Sequence, residues 1–175
     1  GAAKDQGLWR TDLRTNQKKL LVSLADLAAR VPEAPPAENG TYYLWHCRYN
    51  PQGTRILQVF RCLFPDGYGE RNPMVSTFNP DGSDIRVLRS KPSMWNAGGG
   101  HPNWHGDGEH IIRNLAVDGK KTRFCQFRYD DSDFRILTEK LPGGGHPRID
   151  PAGRYIVTDS MERSGSTQTV VLRYI

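Results

Sequence analysis

A segment of twelve residues occurs three times in this chain and aligns without gaps. The copies span residues 46–57, 101–112 and 146–157. Each copy begins with a histidine, has a glycine seven residues later and ends in two aliphatic residues. Starts that lie 55 and 45 residues apart predict an array in which each unit is one supersecondary element packed on its neighbours.

Each copy predicts a β-hairpin. Asn50-Pro-Gln-Gly53 and Asp150-Pro-Ala-Gly153 combine proline, which pre-sets φ, with a glycine that accepts positive φ, and the middle copy has Gly106-Asp-Gly108. A second hairpin follows each of the first two copies, with polar turns at 79–82 and 130–132. Four antiparallel strands in roughly 45–50 residues are typical of one β-propeller blade.

The sequence therefore predicts an all-β fold, a partial β-propeller of four-stranded antiparallel blades. Its parts are the outer strands of one blade (7–24), two blades (42–90 and 98–138) and an incomplete blade (143–175). Since a closed propeller needs at least four blades, we expect about three blades from the carboxyl-terminal half of a larger propeller. The missing half would come from the parent chain or another protomer. Leu20–Ala29 also fits an amphipathic helix, an alternative for that stretch alone.

Charge and composition narrow the classes of partner. The net charge is +5, but the basic residues are spread along the strands, which does not favour a nucleic-acid binder. An acidic polysaccharide remains compatible with this charge. No apolar run reaches the ~18 residues of a membrane span. Three cysteines without CxxC spacing indicate neither a disulfide framework nor a zinc ribbon.

The repeated histidines His46, His101 and His146 open the first strand of successive predicted blades. Such strands line the central axis, so we expect the three imidazoles to meet at one mouth. Imidazole is the commonest metal-binding side chain, and three ligands leave a coordination position open. The alternative, a structural histidine reused in each blade, stays open. His105 and His110 depart from the repeat and are expected in turns or at the surface.

Residues around the same mouth are predicted to bind substrate. Side chains alternate along a strand, so the residue two positions after each histidine would share its face. Long loops with aromatic and arginine residues at a rigid mouth also favour a site. The predicted substrate-binding residues are Arg48, Tyr68, Arg71, Trp95, Asn103 and Arg148.

The segments His101-Pro-Asn-Trp and His146-Pro-Arg-Ile-Asp-Pro-Ala-Gly153 resemble repeats of the Tol-associated periplasmic propeller and its relatives, over roughly residues 42–160. Within that group, the histidine that opens each repeat looks most like oligogalacturonate lyase. The resemblance implies a divalent metal, usually manganese, with zinc or calcium as alternatives, held by histidines and a glutamine. His46, His101 and His146 match the histidine positions. The glutamine is not matched, and Asn96 is the nearest substitute.

These observations predict a metal-dependent polysaccharide lyase that cleaves acidic, uronate-containing oligosaccharides by β-elimination. A cation on the uronate carboxylate would stabilise the enolate-like intermediate, and arginines would bind the carboxylate in a bidentate manner. The base is open among a histidine that holds no metal, Tyr68 and a residue of the missing half. The alternative function is a non-catalytic propeller module that binds glycan or protein.

Overall fold

Nearly all regular structure in the described part of the chain is β-strand. The computed structural model describes residues 2–31, 40–63, 74–88, 99–117, 121–141, 143–161 and 168–174. The strands are β1 (Gly7–Thr11), β2 (Lys18–Ser23), β3 (Thr41–Tyr49), β4 (Ile56–Leu63), β5 (Met74–Phe78), β6 (Arg86–Leu88), β7 (Gly99–Trp104), β8 (His110–Ala116), β9 (Thr122–Arg128), β10 (Arg135–Ile136), β11 (Arg148–Ile149), β12 (Tyr155–Met161) and β13 (Gln168–Tyr174). A helix, α1, spans Leu24–Ala28.

The strands form antiparallel meanders in chain order. They build the sheets β1-β2, β3-β4-β5-β6, β7-β8-β9-β10 and β11-β12-β13, with two, four, four and three strands. Contacts divide the chain into two compact units. Unit 1 consists of residues 1–49 and 53–95, and unit 2 consists of residues 50–52 and 96–175. The predicted all-β class with four-stranded antiparallel sheets is confirmed.

The sequence repeat fixes the same strand register in three sheets. In each copy the third residue lies opposite the twelfth, and the fourth lies opposite the eleventh. The third-to-twelfth pairs are Arg48 with Leu57, Asn103 with Ile112, and Arg148 with Val157. Because the aliphatic pair at the end of each copy takes the same place in its sheet, the copies are structural as well as sequence equivalents.

Each unit has an apolar core of its own. In unit 1 the ring of Tyr42 stacks on Phe60, with centroids 5.1 Å apart and planes 8° from parallel. Phe60 and Phe78 are fully buried in this cluster. In unit 2 a smaller cluster contains Ile112, Phe124 and Ile156. These cores contain residues of the middle strands, and Tyr42 of the first strand β3 joins the core of unit 1.

The stretch 20–29 contains both a strand and a helix. β2 continues to Ser23, and α1 begins directly after it. The backbone N–H of Asp26 donates to the Ser23 hydroxyl, while the Asp26 carboxylate accepts from the Ser23 backbone N–H, which completes a capping box. Hydrogen bonds from Ser23 hold the pKa of Asp26 below its usual value. In the ranges given above, no helix has the length and apolarity to cross a membrane.

Candidate functional site

Two of the repeat histidines have an unusual backbone. His46 and His101 have φ values of 47° and 52°, in the left-handed region. The strand register shifts at both places, between Trp45 and Cys47 and between Gly100 and Asn103. In the third copy the positive φ belongs to Gly145, one residue before His146. The shifts interrupt the regular alternation of side chains, so alternation does not place His46 with Arg48 or His101 with Asn103.

The irregularity in β3 is held by a buried glutamine. Gln58 Nε2 donates to the carbonyl oxygens of Trp45 at 2.9 Å and His46 at 3.3 Å. The His46 ring is exposed and meets the Trp45 ring edge-on, with centroids 5.3 Å apart. The backbone around His46 is thus fixed from the neighbouring strand while its ring faces solvent.

Trp45 and Arg61 form a cation–aromatic pair in unit 1. The Trp45 side chain is 50% exposed, and the Arg61 guanidinium carbon lies 5.7 Å from the centre of its ring. Arg61 Nε is buried without a hydrogen-bond partner in the described part of the chain, and no ion pair is formed there by Arg61. Tyr49, at the end of the same strand as Trp45, is 54% exposed. The Arg61 Nε itself is enclosed, so a carboxylate could be bound only by the terminal nitrogens of this half-buried arginine.

In unit 2, His101 and His146 are in ring contact. Their centroids are 3.9 Å apart and their planes are tilted by 57°. The His146 Nδ1 atom lies 2.7 Å from Asp159 Oδ2, and the other Asp159 oxygen accepts from the His146 backbone N–H. The His146 side chain is 55% exposed and that of Asp159 only 7%. A buried carboxylate therefore orients an exposed imidazole.

The ionisation of Asp159 determines which nitrogen of the His146 ring carries a hydrogen in their contact. Burial raises the pKa of Asp159, but the hydrogen bonds from His146 outweigh it and hold this pKa below its usual value. An ionised carboxylate only accepts, so the hydrogen of the contact is carried by His146 Nδ1. In the neutral ring, Nε2 then has its lone pair available to a ligand. The same carboxylate–imidazole arrangement supports metal-binding and proton-transferring histidines.

The segment that carries His146 is fastened at several carbonyl groups. Thr158 Oγ1 donates to Gly144 O at 2.8 Å, Asn114 Nδ2 to Gly145 O at 2.9 Å and Asn103 Nδ2 to Pro147 O at 2.9 Å. A Cβ on Gly145 would collide with the backbone oxygen of Asp159. The close approach of the carboxylate thus depends on glycine at this position.

The predicted substrate-binding residues have different surroundings. Arg48 is half-buried and Arg148 is exposed. Asn103 is 6% exposed, and its amide supports Pro147 from within unit 2, so it is part of the scaffold of His146. Tyr68, Arg71 and Trp95 lie outside the described residues.

Sequence reasoning missed Asp159, Trp45 and Arg61. Asp159 is a charged residue in a strand whose other residues are all uncharged, which was an available signal. Trp45 directly precedes the first repeat and has no aromatic equivalent at residues 100 and 145, which are both glycine. Arg61 lies four residues beyond the first copy, so comparison of the copies could not select it.

The predicted metal ligands are divided between the two compact units. Over the ranges that the structure describes, no three His, Cys, Asp or Glu side chains are grouped to hold an ion. His101 and His146 are adjacent in unit 2, and His46 belongs to unit 1. A metal centre of His46, His101 and His146 therefore stays a prediction, as does manganese binding.

No protein-family model and no curated protein matches the chain. Among solved structures, TolB from Acinetobacter baumannii matches with a TM-score of 0.56 at 13% identity, over 95% of this chain and 34% of that one. A putative TolB from Agrobacterium tumefaciens matches at 12% identity over 97% of this chain and 86% of that one. Its TM-score is 0.44, which is too low to indicate a shared fold. This chain spans about a third of the first TolB chain. The likeness shows the fold: the chain is part of a β-propeller, and the resemblance to oligogalacturonate lyase is not confirmed.

Proposed function

We propose that this chain is a segment of a non-catalytic β-propeller that binds an acidic segment of a partner protein. The observation that carries the proposal is the Trp45–Arg61 pair, an exposed indole beside a guanidinium with unused donor capacity. The propeller fold supports the proposal, because blades form a rigid frame on which exposed side chains can be arranged.

A protein partner is favoured by the residue types on β3. Trp, Tyr and Arg dominate the binding energy of protein interfaces, and Trp45, Tyr49 and Arg61 lie on β3 and its neighbour β4. β3 is also an edge strand of its sheet, a position at which some proteins receive an added strand from a partner. The net charge of +5 favours an acidic sequence over a neutral one.

Calorimetry with the full chain tests this proposal. The probes are a poly-glutamate peptide and an oligogalacturonate, each at low and at raised salt. We expect the peptide to bind more weakly as salt rises, and Trp45→Ala and Arg61→Ala to weaken binding about tenfold or more. Trp9→Ala is the matched control, because Trp9 is similarly exposed, at 52%, in the separate sheet of β1 and β2. Absent peptide binding, or an equal loss in the control, would overturn the proposal.

The second candidate is the metal-dependent lyase of acidic oligosaccharides. It is favoured by the contact between His101 and His146 and by the buried carboxylate of Asp159. In this proposal His46, His101 and His146 hold the ion, manganese by preference, and Arg48 and Arg148 bind uronate carboxylates. The missing strands of the propeller would come from the parent chain or another protomer.

Elemental analysis and an elimination assay separate the two candidates. The lyase requires bound manganese that is lost in His101→Ala and His146→Ala and retained in His105→Ala. It also requires unsaturated uronide product from oligogalacturonate. Oligogalacturonate that binds without forming product would support a glycan-binding module in place of both.

A further inference from the structure

His110, at the start of β8, contacts two carboxylates with its two ring nitrogens. Nδ1 lies 2.7 Å from Asp107 Oδ2, and Nε2 lies 2.9 Å from Asp133 Oδ2. Carboxylate oxygens accept hydrogen bonds and do not donate them unless protonated. Both contacts are therefore satisfied together only when both ring nitrogens carry hydrogen, which is the charged form of histidine.

The two carboxylates belong to different hairpins of one sheet. Asp107 lies in the turn between β7 and β8, and Asp133 lies in the turn between β9 and β10. Because neighbouring strands are antiparallel, these turns are at the same end of the sheet. Asp107 is fixed by the backbone N–H groups of Glu109 and His110, which donate to its Oδ1 at 2.8 and 2.9 Å. His110 thus joins the hairpin of β7 and β8 to the hairpin of β9 and β10.

The preceding sheet has the same connection with a different cation. Arg55 occupies the position in the first copy that His110 occupies in the second, and it pairs with Asp84 at 2.9 Å. Asp84 and Asp133 both have left-handed φ values, 50° and 52°. Both follow a serine and stand two residues before an arginine, in 83–86 and 132–135. Arginine stays charged at all physiological pH values, whereas histidine titrates.

The charges that face His110 come from both hairpins. The His105 ring is 6.4 Å away, and its Nδ1 lies 3.1 Å from Asp107 Oδ2. Arg128, opposite His110 in the register, pairs with Glu109 at 3.2 Å and Asp130 at 3.4 Å.

The ionisation of the group follows from these neighbours. Burial lowers the pKa of His110, but the two carboxylates raise it above its ordinary value. Burial raises the pKa of Asp107, but hydrogen bonds from the His110 and Glu109 backbone and from the His110 ring bring it down to about 2.

We propose that His110, Asp107 and Asp133 form a pH-sensitive latch between the two hairpins of this sheet. With the ring protonated, the latch holds the β9–β10 turn against the β7–β8 turn. Loss of the proton leaves one donor for two carboxylates, so one contact opens. The equivalent pair of Arg55 and Asp84 stays closed over the same pH range, and one sheet therefore loosens while the other does not.

The directions of the His110 and Asp107 pKa shifts determine the pH range in which the latch is closed. A histidine with a raised pKa contributes stability that is fully present below about pH 6.5 and is lost as pH rises through its folded pKa. An aspartate with a lowered pKa contributes stability that is present above about pH 3.9 and is lost as pH falls towards its folded pKa. The latch is thus strongest from about pH 4 to 6.5.

Histidine NMR titration and amide hydrogen exchange test the latch. Between about pH 5 and 8.5, and after correction for intrinsic exchange, protection of residues 129–136 should fall as the His110 ring loses its proton. Each unit by which the titration places the His110 pKa above about 6.5 corresponds to a roughly tenfold change in the opening equilibrium. Residues 77–86, next to Arg55, should show no such pH dependence.

Substitutions supply the controls. In His110→Arg the protection of residues 129–136 should become independent of pH, and in His110→Gln it should be low throughout. His105→Gln should leave the pH dependence in place. Asp133→Asn leaves the His110 ring in place and removes one of its carboxylates, so it should lower the pKa of His110. This variant replaces His110→Arg in the test if the latter does not fold. A His110 pKa at or below about 6.5, or an unchanged pH dependence in His110→Arg or Asp133→Asn, would overturn the proposal.

Discussion

Gly145 determines how closely Asp159 approaches the backbone of His146. It has a φ of 61°, and an added Cβ would overlap the backbone oxygen of Asp159. We expect Gly145→Ala to lower the free energy of unfolding by about 1–3 kcal/mol, because backbone strain adds to the collision. Gly144→Ala is the control, since its Cβ would meet nothing within 4 Å. Urea unfolding of both variants measures the difference, and equal losses would contradict the role given to Gly145.

At the residue scale the sequence singled out three histidines as candidates and missed Asp159, which orients one of them. His46, His101 and His146 were found because they recur at one position of the repeat. Asp159 has Val59 and Asn114 as its equivalents, so comparison of the copies could not select it. The left-handed backbone was also not predicted, since alternation assumes an uninterrupted strand.

The sheet β3-β4-β5-β6 contains a buried cation that joins its two hairpins. The Arg55 side chain is 7% exposed and donates to Thr77, Asn79 and Asp84. Arg86 contacts the same Asp84 but is 46% exposed. We expect Arg55→Ala to cost about 1.5–3 kcal/mol of unfolding free energy and Arg86→Ala about 0–1 kcal/mol. Denaturant titration separates them, and similar costs would show that burial of Arg55 does not matter.

At the scale of elements, the predictions that succeeded were those based on turn residues and on the spacing of aliphatic residues. The hairpin registers were predictable because turn residues and aliphatic pairs keep one spacing in all three copies. The stretch 20–29 divides between strand and helix because Ser23 both ends β2 and caps α1. The serine–aspartate repeat at 83–84 and 132–133 was visible in the sequence but lay outside the twelve-residue segment that was compared.

In the whole molecule, each compact unit has a separate apolar cluster. Phe60 is fully buried in the cluster of unit 1, and Phe124 is 2% exposed in that of unit 2. We expect each alanine substitution to cost about 3–5 kcal/mol. Phe60→Ala should reduce amide protection first in β4 and β5, and Phe124→Ala first in β8 and β9. Hydrogen exchange resolved by peptide checks this, and equal loss in both units for either variant would contradict it.

The propeller fold could be predicted at this scale because repetition is a property of the whole chain. Three copies with one register define the blade, whatever ligand the protein binds. The division into two units was not predictable, because the repeat marks each blade and does not indicate which blades share most of their contacts. Ligand identity depends on particular side chains such as Arg61, which the repeat does not include.

The left-handed conformation of His46 and His101 limits which mutations these positions tolerate. Glycine, asparagine and aspartate adopt this conformation readily, whereas valine, isoleucine and threonine are strongly disfavoured there. A mutational scan would thus record two separate selections at the same codons, one for backbone shape and one for imidazole chemistry. Asparagine would satisfy the first and fail the second, which makes it the most informative replacement for a histidine in either strand.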